Sequence, residues 1–232
     1  MDIHSAFSAR EIIRLQRLPD GNVGLQTRLP QYRRPWRYLA RRRSHLPRYR
    51  ARRRNEIQTA RRLRTRAFFE HRVEFMALLA FEIAKACRRA QAQGYVPVFR
   101  LNGTSDIRWE TVPVGGFPNI MTMFSDVQFY EYTKIANRKN IPANYHLTFS
   151  LADGNEDASI AAITNGMNVA AVFRNKDVVA RMLADGMQLD GQHVPVTRGD
   201  DTDLRFLDLP GHVIALYAKG NAKRDASGFV RD

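Results

Sequence analysis

The chain of 232 residues holds a single cysteine, Cys87, and that scarcity closes off several chemistries at once. One thiol cannot form an intramolecular disulfide or a cysteine-based metal cage, and it fits a reducing cytoplasm. Long apolar runs are missing too. The greasiest stretch, FMALLAFEIA, is broken by Glu82 and is too short to span a bilayer. The first 20 residues contain no continuous apolar segment of the kind a secretory signal needs. The expectation is a cytoplasmic protein with no membrane partner. Acidic residues are scarce at the front: residues 1–94 carry 7 Asp+Glu against 23 Lys+Arg, a net of +16, whereas residues 95–232 carry 16 against 14, a net of −2. The overall charge of +14 therefore belongs to the front part alone, and any inference from it about polyanionic partners concerns that part. A hydrophobic fraction of 44% is enough for a real core and argues against global disorder.

The basic excess is concentrated. Between Arg28 and Arg66 there are 16 arginines in 39 residues, with Pro30, Pro35 and Pro47 interrupting helical runs. Trp36, Tyr38 and Tyr49 are interleaved with them. Guanidinium groups neutralise phosphates and aromatic faces stack on bases. Within the basic stretch 28–66, the candidate nucleic-acid contacts are thus Arg33, Arg34, Trp36, Arg37, Arg41, Arg42, Arg43, Arg52, Arg53 and Arg54. Two other readings stand beside this one: an idle, disordered basic tail, and a frameshifted front, since arginine and proline codons crowd out-of-frame readings of GC-rich DNA. Residues 1–55 are accordingly expected to be an Arg-rich arm, disordered or frameshift-derived, ahead of an α/β domain over residues 56–232.

From Glu56 to Gln93 the pattern is helical. Leu63, Ala67, Phe68, Phe75, Met76, Leu79, Ile83, Cys87 and Ala90 recur at spacings of three and four. Gly94 suits the position just past the helix end, and Arg88 and Arg89 complement the dipole of the last turn. Cys87 shares the stripe of Leu79 and Ile83, which favours core packing over reactivity.

Beyond Gly94, short apolar strands alternate with helical segments. Strands are expected at Tyr95–Leu101, Val127–Tyr132, Tyr145–Ser150, Asn168–Phe173, Leu204–Leu207 and His212–Ala218, and helices at Phe117–Phe124, Glu156–Thr164 and Asp177–Asp185. Their spacing calls for crossover connections and a parallel sheet. Alternation assigns Pro97, Phe99, Leu101, Phe129, Leu147, Phe149, Val169, Ala171, Phe173, Ile214, Leu216 and Ala218 to an apolar face. The opposite face turns polar towards the carboxyl ends of the strands. A doubly wound sheet would be apolar on both faces. The expected fold is therefore α/β, an incomplete βα-barrel-like parallel sheet with helices on its outer face, preceded by a long helix and the basic arm.

The polar groups that such a sheet delivers to one rim begin with the stretch RLNGTSDIRWE. Arg100, Lys134, Arg174 and Lys219 would neutralise an anion. Asn102, Thr104, Tyr132, Arg138, Ser150 and Arg205 complete the candidate ligand-binding set, and Asp106 and Asp203 are the candidate catalytic residues, as acid, base or metal ligand. Each has a plain structural alternative: NGTSD reads equally as a turn held by side-chain hydrogen bonds, TKIANRKN as a solvated loop, and His146 as a satisfied interior histidine. Asp200, Asp201 and Asp203 cluster before a strand, but their spacing matches no calcium-loop motif, so no metal site is assigned. KGNAKRDASGF lacks phosphate-loop spacing. No cofactor is identified.

The stretches RLNGTSDIRWE, FYEYTK, NYHLTFSL, GMNVAAVF, GDDTDLRFLD and YAKGNAKRDASGFV resemble the gene product 88 family of bacteriophages and bacterial mobile elements, over about residues 57–232. The resemblance implies a phage or prophage protein in a bacterial host cell. Family members carry a cysteine-bearing segment ahead of the long helix, reminiscent of radical S-adenosylmethionine barrels. Here that region is the arginine block and has no cysteine, and a three-cysteine-ligated cluster cannot form without its thiolates. The first functional expectation is thus an enzyme-like βα domain that binds an anionic or nucleotide-like ligand at the strand ends, with any relation to radical enzymes a degenerate one. The alternative is a basic nucleic-acid-binding protein acting through its Arg-rich arm.

Overall fold

The computed structural model describes residues 47–103 and 105–232, with side chains described from residue 59 onward. The chain divides into two compact units, Met1–Pro97 and Val98–Asp232.

In the first unit, helix α1 spans Pro47–Glu70 and helix α2 spans Arg72–Ala92. The helix begins nine residues ahead of Glu56, because proline is tolerated in a first turn, where its missing N–H has no partner to lose. Arg52, Arg53 and Arg54 therefore belong to a helical backbone. His71 lies off helical geometry at φ −135° and ψ 54° and separates the two helices, with one backbone bond on either side of the break: His71 N donates to Ala67 O and Phe75 N to His71 O, both at 2.9 Å. The expected stripe is the one that is buried, from Phe75 and Met76 through Leu79 and Ile83 to Ala90. Cys87 is half-buried, and burial raises its thiol above the ordinary value. Gly94 follows at φ +68°, as its place after the helix required.

The second unit is built on a parallel sheet. Its strands are β1 (Val98–Phe99), β2 (Gln128–Thr133), β3 (Tyr145–Ser150), β4 (Asn168–Phe173), β7 (Val196–Arg198), β8 (Val213–Tyr217) and β9 (Val230–Arg231), in the order β1-β2-β3-β4-β8-β7. All pairings within it are parallel. β9 pairs with β4 at Val172 and Phe173, just beyond the point where β3 ends. Helix α3 (Ile120–Met123) lies between β1 and β2, α4 (Glu156–Thr164) between β3 and β4, and α5 (Lys176–Asp185) after β4. A hairpin of β5 (Met187–Leu189) and β6 (Gln192–Val194) stands apart from the sheet. The parallel α/β expectation holds. The sheet stays open and does not close into a barrel.

Topology assigns the two faces. From β1 to β4 the chain steps in one direction, and β4 to β7 continues it past the place of β8. The step from β7 to β8 runs backwards. Right-handed crossovers therefore carry the β7–β8 connection to the face opposite α4 and α5. The packing agrees: Phe149, Val169, Ala171, Phe173, Val213 and Ala215 share one core with Ala162 of α4 and Val179 of α5. On the other face, a Cβ built on Gly199 would come within 2.5 Å of Ile214 and 2.7 Å of Leu216.

Three expectations are corrected. Ile214 and Leu216 do not share the face of Val169 and Ala171, since the register pairs Val169 with Val213 and Ala171 with Ala215. β8 is central and covered on both sides, so alternation carried no phase there. Leu204–Leu207 is not a strand. Arg205–Leu207 forms a 3-10 turn, because the Arg205 guanidinium draws the Gly199 and Thr202 carbonyls around itself. Phe117–Phe124 shortens to one turn, since Pro118 precedes Asn119, whose side chain caps the helix by accepting from Thr122 N at 2.8 Å.

Gly199 packs its bare Cα against this buried turn. Gly199→Ala is expected to lose about 1–3 kcal/mol of stability in urea unfolding, the usual cost of overpacking. An unchanged midpoint would show that the 199–208 segment is loosely held.

Candidate functional site

The sequence-predicted residues separate into three groups. The first lies on the sheet face that carries Glu131 and Tyr145. Asn102 is the hub of a closed turn: its Oδ1 accepts from Ser105 Oγ, Ile107 N and Trp109 Nε1, and its Nδ2 donates to Ile107 O. Asp106 accepts from Thr133 Oγ1 at 3.1 Å and Lys134 N at 2.7 Å. Arg138 is buried against Glu110, donates to Tyr145 Oη at 3.2 Å, and lies 3.7 Å from Asp106. Burial alone would raise the Glu110 carboxyl, but the Arg138 guanidinium outweighs it and holds that group below its ordinary value. Lys134 is exposed, with its ammonium over the Phe229 ring. Thr104 lies outside the described residues.

Glu131, which the alternation argument passed over, sits at the centre of this region. Its Oε1 accepts from Leu101 N at 2.5 Å and Asn102 N at 2.7 Å, so the carboxyl takes over the ladder where the two-residue β1 ends. Burial pushes its pKa up to about 8, outweighing the two amide donors and the nearby guanidinium of Arg100. Arg100 Nε is 4.0 Å from Glu131 Oε2.

The second group occupies the opposite face. Arg100 turns its guanidinium over the Tyr132 ring, 4.5 Å from the centroid. Tyr132 also feels the charges of Arg205, Asp203 and Asp208, although burial is the main cause of its raised pKa. Arg205 is fully buried. It donates to Gly199 O at 3.0 Å and to Thr202 O, and its Nε lies 3.3 Å from Asp208. Phe206 stacks beside Tyr130, with 5.8 Å between the rings. Burial, and then the Arg205 charge, lower the pKa of His146, which keeps its imidazole neutral at pH 7. The buried Nη1 of Arg205, Nε2 of His146, Oγ1 of Thr148 and Nε of Arg100 have no hydrogen-bond partner among the described residues. Four predicted residues, Arg100, Tyr132, Asp203 and Arg205, thus come together, joined by His146, Thr148 and Asp208.

The third group lies at the carboxyl ends of β3, β4 and β8, and each of its members already has a partner within the chain. Arg174 donates to Asp232 at 2.5 Å, Lys223 O at 2.5 Å and Asp225 O at 2.9 Å. Lys219 is exposed and pairs with Asp200 at 2.5 Å. Ser150 is half-buried, and its carbonyl accepts from Asn155 Nδ2. Of the candidate nucleic-acid contacts, Arg33, Arg34, Trp36, Arg37, Arg41, Arg42 and Arg43 lie outside the described residues. Among the described residues, no group of three or more His, Cys, Asp or Glu is placed to hold a metal ion, and no helix is long and apolar enough to cross a membrane.

The Glu131 carboxyl has a testable linkage. Its folded pKa lies above the ordinary 4.5, so the folded state binds a proton that the unfolded state has lost across that interval. Its contribution to stability is complete below pH 4.5 and falls away as pH rises towards 8. Glu131→Gln keeps a neutral acceptor for the two amides, and is expected to flatten that decline by roughly a few kcal/mol in unfolding curves taken across the range. An equal pH slope in the variant would show that Glu131 is ionised in the fold.

A family model described as Gene product 88 matches residues 46–232. The match opens at the start of helix α1, some ten residues ahead of the stretch that carried the resemblance. No curated protein and no solved structure matches the chain. With the long helix and the whole parallel sheet inside the matched segment, the chain belongs to the gene product 88 family of phage proteins.

Proposed function

We propose that the Val98–Asp232 unit binds an anionic small molecule, phosphate- or carboxylate-bearing and nucleotide-like, on the sheet face beneath the 199–208 segment. One observation carries this reading: several buried hydrogen-bonding groups on that face, with Arg205 Nη1 foremost, find no acceptor or donor among the described residues. Leaving such groups unsatisfied costs roughly 1–3 kcal/mol each, and an anion accepting from two guanidinium groups would satisfy several together. Arg205 is held rigidly by Gly199 O and Thr202 O, and Arg100 by stacking on Tyr132. Both donors are therefore oriented in advance, which lowers the cost of binding.

The roles follow from the placement. Arg100 and Arg205 would hold the anion. Tyr132 and Thr148 would offer hydroxyls, and neutral His146 would donate or accept through Nε2. Asp203, whose charge reaches Tyr132, would be the carboxylate for proton transfer. With Glu131 protonated, the Arg100 charge is not neutralised from behind and remains available to the anion. Asp106 fits a positioning role better than a catalytic one, since one oxygen already holds Thr133 and Lys134.

A thermal-shift titration with inorganic phosphate, adenosine nucleotides and S-adenosylmethionine tests the reading. At least one of these is expected to raise the melting temperature, with Arg100→Ala weakening that ligand roughly tenfold or more. Tyr132→Phe should weaken it less, and Lys134→Ala should leave it unchanged. Loss of binding in Lys134→Ala but not in Arg100→Ala would move the ligand to the strand rim. Unaltered binding in all three variants would remove the site.

A further inference from the structure

We propose that the exposed face of α1 and α2 around Arg62, Arg66, Phe69 and Val73 is a docking surface for single-stranded nucleic acid. Arg62, Arg66 and Phe69 follow at spacings of four and three within α1, which keeps them on one helical face. Val73 lies in the first turn of α2, just past the break at His71. Phe69 is 66% exposed and Val73 80% exposed, beside a helix whose other stripe is buried. The surface is independent of the ligand site proposed above.

Charge selects the occupant. Helix α1 carries nine arginines against two glutamates, and Arg61, Arg62 and Arg66 are exposed. The Arg66 pair with Glu70 at 3.1 Å is itself exposed, and such pairs contribute little and yield readily to a phosphate. The Arg72 guanidinium lies 4.5 Å from the centre of the Phe68 ring and 5.9 Å from that of Phe69. An open phenyl face with a cation beside it, next to a line of arginines, matches what a single strand presents: a base to stack and phosphates along the backbone. A membrane surface would ask for a broad apolar stripe. Here Glu70, Glu74 and Glu82 are interspersed with Phe69, Val73 and Phe81.

Fluorescence anisotropy of the full chain with a labelled single strand of about 20 nucleotides tests this, and two variants separate the contributions. Arg62→Gln with Arg66→Gln removes two phosphate contacts and is expected to reduce the slope of log affinity against log salt by roughly 1.4. Phe69→Ala is expected to weaken binding roughly tenfold at every salt concentration while the slope stays the same. All substituted side chains are exposed, and unchanged melting temperatures would confirm intact folding. The proposal is overturned if the single strand does not bind, or if both variants bind with the affinity and slope of the parent chain. Tighter binding to the matching duplex, or capture by anionic lipid vesicles in place of the oligonucleotide, overturns it as well.

Discussion

A guanidinium withdrawn from water must be surrounded by acceptors, and the burial of Arg205 organises one whole face of the sheet. The residue lies in the connection between β7 and β8, where the topology first runs backwards. It curls that connection into a 3-10 turn by gathering the Gly199 and Thr202 carbonyls and the Asp208 carboxylate. Phe206 is thereby set against Tyr130, and Leu204 goes into the interior. A hydrophobic residue at position 205 could fill the volume, but it would leave those carbonyls without donors. The charge is costly to bury and costly to remove once buried, which is the ordinary behaviour of an interior ion pair. What distinguishes this one is that Nη1 of the guanidinium has no hydrogen-bond partner among the described residues.

The carboxyl edge of the sheet shows a different use of polar side chains. A parallel sheet of strands only two to six residues long leaves backbone amides unpaired as each ladder ends. Glu131 accepts from the amides that follow β1, Asp106 from the amide after β2, and Asp200 from Tyr217 N in β8. Arg174 donates to carbonyls of the segment ahead of β9, and Arg231 to the Ala152 carbonyl just after β3. Polar residues gather at this edge because strands running in one direction bring their ends together. Most are engaged there in completing the fold.

The parts of the fold that were legible in the sequence are those where one physical signal acts alone. Tyr145–Ser150, Asn168–Phe173 and Glu156–Thr164 have the predicted bounds, because each is a clean apolar run or periodic stretch closed by turn residues. The long helix was legible from its stripe, though not its start, since Pro47 reads as a breaker when its position in the first turn is unknown. The β5–β6 hairpin was missed despite a readable signal: Asp190 and Gly191, at φ +46° and +76°, form the two-residue turn that joins short twisted strands. At the candidate site, Arg100, Tyr132, Asp203 and Arg205 could be named from their places near strand ends. His146 and Thr148 could be seen only as alternating residues on β3, and nothing local indicates which side of the sheet the β7–β8 segment will cover. Glu131 was hidden because its face is otherwise apolar, and an acidic residue there makes sense only once β1 is known to end at Phe99.

The two proposed binding surfaces also differ in how water treats their charges. Arg205 is fully buried and Arg100 mostly so, and the two aspartates near them already offset their charge, so a compact anion would be held by oriented donors and not by an excess of positive charge. Interactions in that setting decline slowly with salt, because counterions cannot enter. Arg61, Arg62 and Arg66 of α1 are exposed to water and recur along the helix. Each attracts weakly and is strongly screened, so useful affinity requires a polymer that meets several of them together. The unequal division of charge between the front of the chain and the remainder is thus a division of physical regimes: a collective, salt-sensitive surface in one, and an oriented, desolvated pair of donors in the other.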